Sequence, residues 1–188
     1  MKARIEFSLP RRRLLGAMLA PLVVSTSAAA QSGGQAVRTR QASTPRFRIN
    51  VPEKDWRLLP GGICTHGCLA HKDNAVAIVI EHELMQIALS SDEIDRNFGE
   101  LELAAIRERE PTVSQFAARI EQVGSRRAII VDYRRGAGGG EQVRVFVLLH
   151  GRHLYRLVCV APSNQFTRYE PTFQVVCTSF TPSDAAPR

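Results

Sequence analysis

The sequence predicts an α+β domain built on an antiparallel β-sheet that is covered on both faces. Three consecutive segments, 128–133, 142–149 and 153–160, are short, rich in Val, Ile, Phe and Tyr, and bounded by glycine, which is the pattern of strands. Segments 136–140 and 150–152 join them and are too short for a helical crossover, so neighbouring strands must run antiparallel.

The middle strand indicates why both faces need a cover. Val143, Val145 and Val147 line one face, while Phe146 and Leu148 lie on the other. A sheet with one face in water alternates apolar and polar residues more strictly. We therefore expect helices on both sides, or one helix and a layer of loops.

Segments 46–51 and 75–80 predict two further strands. The first alternates apolar and polar residues, whereas the second is apolar throughout, as in a strand buried on both faces. Trp56, the only tryptophan, is interpreted as a core anchor. Segment 113–123 fits either a helix or an edge strand, and its periodicity does not decide between them.

Two helices are predicted. The first starts at Ser90, which has capping-box spacing to Glu93, and ends before Pro111. Its apolar stripe consists of Ile94, Phe98, Leu101 and Ala105. The last helix follows 162–163, and Pro171 is expected to kink or restart it. Its stripe consists of Phe166, Tyr169, Phe173, Cys177 and Phe180.

Residues 1–30 have the layout of a secretory signal peptide. Five basic residues precede an apolar run at 14–24, and Ser-Ala-Ala-Ala at 27–30 offers a cleavage site before Gln31. The run has about 11 residues, against roughly 20 for a membrane-spanning helix, and no later segment is longer. Arg-Arg-Arg-Leu-Leu at 11–15 also fits the twin-arginine pattern, which leaves the export route open. We expect a periplasmic or extracellular mature protein.

The composition of the remainder predicts one domain and argues against nucleic acid as a partner. Segment 31–45 reads as a flexible linker, 46–180 as the domain and 181–188 as a polar tail. The whole chain has a formal charge of +7, of which the leader holds +4, leaving +3 on the mature part. That bias is mild, and nucleic acid is scarce outside the cytoplasm.

The order of the parts resembles a known family. A first strand leads to Pro52 and Trp56, and a long apolar strand and a helix follow. A turn at Gly124 precedes an aromatic strand, and after the hairpin come Ala-Pro at 161–162 and a helix ending in Ser-Phe at 179–180. In this order, over about 46–180, the chain resembles the PsbP-like superfamily, which includes the extrinsic photosystem II subunit and exported bacterial domains of the DcrB and LpqN type.

The resemblance implies an α/β/α sandwich, with the antiparallel sheet flanked by helices on both faces, and a strand at 113–123. It also implies a binding or assembly accessory without enzymatic activity or a cofactor. The chain departs from the family in its four cysteines and in a leader that no lipidated cysteine follows.

Four cysteines in an exported chain predict disulfides. A turn at 65–67 brings Cys64 and Cys68 together, and Cys159 ends a strand beside the helix that carries Cys177. The favoured pairs are therefore Cys64–Cys68 and Cys159–Cys177. A pair of buried thiols at 159 and 177 is the alternative.

The same loop offers a second chemistry. Cys64, His66, Cys68 and His71 are residue types that suit zinc, although their spacing is not that of a known finger. A redox-active pair at 64 and 68 is a further alternative.

Catalytic patterns are weak. Glu81 and Glu83 point the same way on a strand, which admits a paired-carboxylate hydrolase. His82, His150 and His153 show no partner at catalytic spacing, and the last two are expected at the surface. The glycine run 136–140 lacks the helix and the Lys-Ser/Thr of a phosphate loop.

The sequence thus predicts an exported, non-enzymatic module that binds or stabilises an envelope protein. The alternatives are a metal or redox protein based on 64–71 and a hydrolase of unknown substrate. The largest concave surface is expected to discriminate among them, by whether Arg134, Arg144 and Arg156 or the 64–71 loop line it.

Overall fold

A computed structural model of the chain describes residues 37–44, 46–59, 67–73, 75–89, 96–110 and 112–183. Their elements, in chain order, are β1 (Thr39–Ser43), β2 (Phe47–Pro52), β3 (Trp56–Leu59), β4 (Cys68–His71), β5 (Ala77–Leu89), α1 (Arg96–Arg109), β6 (Ser114–Val123), β7 (Arg126–Arg135), β8 (Glu141–Pro162), α2 (Phe166–Ser179) and β9 (Thr181–Pro182). A short 3₁₀ turn, Ala137–Gly139, joins β7 to β8.

The main sheet has the order β3-β4-β5-β8-β7-β6, and its neighbours pair antiparallel. This confirms the predicted sheet, and it confirms that 113–123 forms a strand, β6. The run 75–80 is likewise confirmed as part of β5, which extends to Leu89.

β8 is a hairpin whose two arms form one continuous run of strand conformation. Its 22 residues would span roughly 70 Å if straight. Instead its ends meet, because Ser163 N donates to Gly140 O at 2.9 Å. Gly151, with φ 58°, adopts the left-handed conformation that a tight hairpin turn requires. The first arm pairs with β7 and the second with β5.

A small second sheet, β1-β2-β9, corrects two predicted boundaries. Segment 31–45 was expected to be a linker, yet β1 pairs with residues 48–52 of β2. The tail was expected from 181, yet Thr181 and Pro182 pair with the start of β2. Both edges are polar in sequence, and their pairing with β2 orders them.

The buried apolar side chains form two clusters, one containing residues of α1 and the other residues of α2. Successive residues of β7 belong to different clusters: Ile129 and Val131 pack with Leu103 of α1, whereas Ile130 packs with the α2 cluster. Because strand side chains alternate between faces, the two clusters lie on opposite faces of the sheet.

The predicted stripe of α1 was partly wrong. Leu101 is 68% exposed, whereas Glu102, Leu103 and Ile106 are buried. The buried face is therefore turned by about one residue, because Glu102 occupies a core-facing position where it meets a buried arginine, described below. Ser90 and Ile94 lie outside the described residues.

α2 buries the predicted aromatic stripe. Phe166, Tyr169, Phe173 and Cys177 are all buried, and Phe180 is buried just beyond the helix end. The helix runs from Phe166 to Ser179 and includes Pro171, so of the two expected outcomes, a kink or a restart, the restart does not occur. Trp56 is buried with its ring edge-on to Tyr169 and Phe173, which confirms its place in the core. Within the described part of the chain, no helix has both the length and the apolarity to cross a membrane.

Candidate functional site

A cavity of about 340 Å³ opens on the α1 side of the main sheet. β5, β7, β8 and the last turn of α1 surround it. Its apolar floor consists of Val79, Ile106, Val145, Val158 and Val160. Its polar rim consists of Glu81, Arg109, Glu110, Tyr133, Arg135 and Arg156. This volume lies near the lower end of the range for small-ligand sites.

The cavity arises because α1 covers only part of the sheet. α1 packs over β6 and β7, with Gly99 facing Ile129 of β7. The valines of β5 and of the second arm of β8 lie beyond the helix. Among the described residues no second helix covers them, so the floor stays open to the rim.

Ion pairs hold the rim. Arg135 Nη1 donates to Glu110 Oε1 at 3.0 Å, and its Nε donates to Glu141 Oε2 at 2.8 Å. Arg109 lies 3.8 Å from Glu81, a looser pair whose two side chains are about half exposed. These groups are accessible to a ligand, and their guanidinium and carboxylate groups can bind a partner of either charge.

Arg156 joins the cavity to the core. Its Nε and Nη2 donate to the two oxygens of Glu102 at 2.8 and 2.6 Å, and its Nη1 donates to Glu83 at 2.8 Å. Burial opposes the charge of Arg156, but its bonds to Glu102 and Glu83 outweigh burial and raise its pKa. The arginine is therefore a fixed cation at the cavity wall.

Tyr133 supplies the neutral polar group of the rim. Burial, with a smaller contribution from Glu110, raises the pKa of Tyr133 to about 12. The phenol thus keeps its proton at neutral pH, and its hydroxyl donates to Glu110 Oε1 at 3.4 Å. The rim therefore combines one neutral donor with charges of both signs.

Of the three arginines that the sequence analysis considered for the concave surface, the structure places one at the cavity. Arg156 lines the cavity, whereas Arg134 and Arg144 are not among its lining residues. Arg144 instead binds Asp132 at 2.7 Å and also pairs with Glu170 of α2. Glu81 lines the cavity and Glu83 lies on the same face of β5, so the predicted shared direction of the two carboxylates is observed.

The 64–71 loop is only partly described. Cys64 and His66 lie outside the described residues, so the predicted Cys64–Cys68 bridge stays a prediction. Cys68 and His71 are buried three residues apart on β4, and side chains three apart point to opposite faces of a strand. His71 packs edge-on against Trp56 and Tyr169. Two members of the proposed zinc set therefore diverge.

A second, smaller cavity of about 270 Å³ lies at the other end of the sheet. Asp55, Trp56, Arg57 and Lys72 line it. Lys72 binds Asp55 at 3.1 Å across this cavity. Trp56, at its base, is already packed in the core, so the larger cavity is the better candidate site.

Sequence reasoning missed a pair of histidines. His82 Nε2 and His153 Nδ1 lie 2.8 Å apart, although the two residues are 71 positions apart in the chain. The sequence could have indicated this pair only through strand alternation, since His82 and His153 lie on the same face of two adjacent strands. His153, expected at the surface, is half-buried.

Cys159 and Cys177 lie together as expected from the strand and the helix stripe. Their sulfur atoms are 3.7 Å apart, and both are free, buried thiols. Burial, together with the contact to Cys159, raises the pKa of the Cys177 thiol. The covalent bond between them stays a prediction.

The antiparallel sheet and the two helices give the chain a PsbP-like fold. The solution structure of cyanobacterial PsbP (CyanoP) from Synechocystis matches with a TM-score of 0.54 and 11% identity, covering 80% of this chain and 96% of that chain. A protein from Bacteroides thetaiotaomicron matches with a TM-score of 0.50 and 13% identity, covering 73% of this chain and 45% of that chain.

LpqN of Mycobacterium tuberculosis, a protein involved in cell envelope biogenesis, matches with a TM-score of 0.49 and 16% identity, covering 78% of this chain and 91% of LpqN. No family profile matches the chain, and no curated protein matches it significantly. Likeness at these identities establishes the fold and not the activity. The PsbP-like resemblance predicted from the sequence is confirmed at that level.

Proposed function

We propose that this chain is an exported, non-enzymatic accessory protein of the cell envelope that binds a partner through the cavity beside α1. The observation that carries the proposal is the cavity itself, with a floor of valine and isoleucine and a rim of paired guanidinium and carboxylate groups. An apolar floor contributes affinity, and convergent polar groups at the rim fix orientation.

Export is supported by the leader-like residues 1–30. We infer cleavage near Ala30 and a periplasmic or extracellular mature domain. We also infer the layering that the resemblance implies, with helices on both faces of the sheet. The two buried clusters support it, since one contains residues of α2 and the other residues of α1.

The rim favours binding over hydrolysis. Glu83 and Glu102 are both bonded to Arg156, and Glu110 is bonded to Arg135. Among these described carboxylates, Glu81 has the loosest partner, Arg109 at 3.8 Å. A rim made of ion pairs can exchange one internal partner for a group on the ligand, which is a recognition mechanism.

Photocrosslinking in living cells tests this proposal. A photoreactive amino acid at Arg109, whose side chain is 52% exposed at the rim, is expected to give one discrete adduct, either a larger protein band or a defined mass increment. The same amino acid at Arg168, exposed on α2 away from the cavity, is the matched control. Adducts at both positions alike, or at neither, would contradict a partner in the cavity.

We also propose that the exported protein carries a Cys159–Cys177 disulfide. The sulfur atoms, 3.7 Å apart, need to approach by about 1.7 Å to reach disulfide length. A loop of about 19 residues would add on the order of 3 kcal/mol to the free energy of unfolding. Since burial raises the pKa of the Cys177 thiol, oxidation in the folded state is expected to be slow.

Mass spectrometry after alkylation of the denatured, unreduced protein checks this bond. We expect Cys159 and Cys177 to stay unlabelled until a reductant is added. The Cys159→Ser variant is the control, in which Cys177 should label at once. Full labelling of both cysteines in the unreduced wild-type protein would mean that they are thiols in the cell.

A further inference from the structure

The histidine pair forms a site that is separate from the cavity. His82 follows Glu81 on β5, so the two side chains point to opposite faces of the strand. Glu81 lines the cavity, whereas His82 and His153 lie on the face that carries the α2 cluster. The pair therefore has no part in the proposed cavity function.

The two imidazoles face each other, nitrogen to nitrogen, in one hydrogen bond. His82 Nε2 and His153 Nδ1 are 2.8 Å apart, and the ring centroids are 5.0 Å apart with planes at 25°, so the two rings meet nearly end to end. Each nitrogen faces the other, so both are aimed at one small volume between the strands. Both residues are half-buried, which leaves this volume open to an ion from solvent.

The β5–β8 pairing and neighbouring aromatic rings hold the two histidines in place. In the β5–β8 register, His82 lies opposite Tyr155 and His153 opposite Leu84, which places both histidines on one face. The Tyr155 ring lies 4.9 Å from the His82 ring and 5.1 Å from the ring of Phe180, which is fully buried. These contacts limit the rotation of His82.

We propose that His82 and His153 form a binding site for a late first-row divalent cation such as Zn²⁺. Imidazole nitrogen is a preferred ligand of Zn²⁺, Cu²⁺ and Ni²⁺. At a metal–nitrogen distance of about 2.0–2.1 Å and tetrahedral geometry, two ligand nitrogens lie about 3.4 Å apart. From the pair at 2.8 Å, the nitrogens must separate by about 0.6 Å, and each ring must tilt so that its lone pair points at the ion.

Cation binding does not change the number of protons on the two imidazole rings. In the hydrogen-bonded pair one of the two facing nitrogens carries a proton, and the other accepts it. When the cation binds, that ring moves its proton to its other nitrogen, and both facing lone pairs become ligands. Two neutral rings thus bind the ion without net proton release.

The site supplies two protein ligands. Within the part of the chain that the structure describes, no group of three or more His, Cys, Asp and Glu side chains forms a metal site. Water therefore completes the coordination, which leaves open positions, as in sites that accept a further ligand.

Calorimetric titration of the tag-free protein with Zn²⁺ tests the site. We expect saturable binding of one ion per chain. His82→Ala and His153→Ala should each weaken it by at least about tenfold, since even losing a group that only orients a ligand costs 10- to 100-fold. His66→Ala is the control, because it removes a histidine from the competing set Cys64, His66, Cys68 and His71.

A second measurement does not depend on the variants. Zn²⁺ should shift the ring nitrogen resonances of His82 and His153 together in the wild-type protein. Binding that survives both His82→Ala and His153→Ala but is lost in His66→Ala would overturn the proposal in favour of the 64–71 loop. No saturable binding, with both rings unshifted, would leave the pair as a hydrogen bond only and would also overturn it.

Discussion

Replacing Glu102 with leucine is expected to lower the free energy of unfolding by about 3–5 kcal/mol. Only 6% of the Glu102 side chain and 11% of the Arg156 side chain are exposed, and two hydrogen bonds join them. Removing the carboxylate leaves a buried guanidinium with one remaining partner, the exposed Glu83. Equilibrium unfolding in urea, followed by circular dichroism, measures the loss.

Two further variants distinguish the effect of breaking the buried ion pair from the effect of losing a side chain. Glu83→Gln removes the exposed partner of Arg156, whose side chain is 58% exposed, and should lower stability by less than about 1 kcal/mol. The double variant Glu102→Leu with Arg156→Leu should be more stable than Glu102→Leu alone, since no unpaired charge remains. If Glu102→Leu and Glu83→Gln lower the free energy of unfolding by the same small amount, the Glu102–Arg156 pair is not buried.

Replacing Phe173 with alanine is expected to lower stability by a similar amount, about 3–5 kcal/mol, through the cavity it leaves. Phe173 is fully buried and its ring lies within 6.4 Å of the rings of Trp56, Phe166 and Tyr169. It thus packs α2 against β3 and completes the aromatic cluster. Urea unfolding measures the loss, and near-UV circular dichroism of Trp56 reports the change in its packing.

Val175→Ala on the same helix is the matched control. Val175 is 37% exposed, so its truncation should change stability by no more than about 0.5 kcal/mol. Equal effects of Phe173→Ala and Val175→Ala would show that helix propensity, and not core packing, governs α2. An unchanged near-UV spectrum in Phe173→Ala would contradict the contact with Trp56.

The candidate site could be predicted only in part. Strand alternation placed Glu81 and Glu83 on one face, and the structure confirms that direction. The cavity itself combines residues of β5, α1, β7 and β8, and no local pattern reports where a helix stops covering a sheet. In the sequence, the valines of the cavity floor cannot be distinguished from those of any buried strand.

α1 illustrates the limit of periodicity. Apolar spacing put Leu101 in the core and made no claim for Glu102, yet Leu101 is exposed and Glu102 is buried. A carboxylate counts as polar in any hydrophobic pattern. Only the position of Arg156, 54 residues away, makes its burial favourable.

By itself, the sequence determined the parts of this protein that depend on local order. Glycine-bounded β-branched runs determined the antiparallel strands and the hairpin, aromatic spacing determined the buried face of α2, and the order of these parts determined the resemblance to the PsbP-like fold. Each of these follows from steric and hydrophobic preferences within one element or its neighbours.

Only the tertiary structure decided the features made by distant residues. These are the pairing of β1 with β2, the open cavity, the buried Glu102–Arg156 pair and the facing His82 and His153. One physical reason applies to the strand pairing, the ion pair and the histidines. A polar side chain or a polar edge strand is stable there only when a partner from elsewhere in the chain completes its hydrogen bonds.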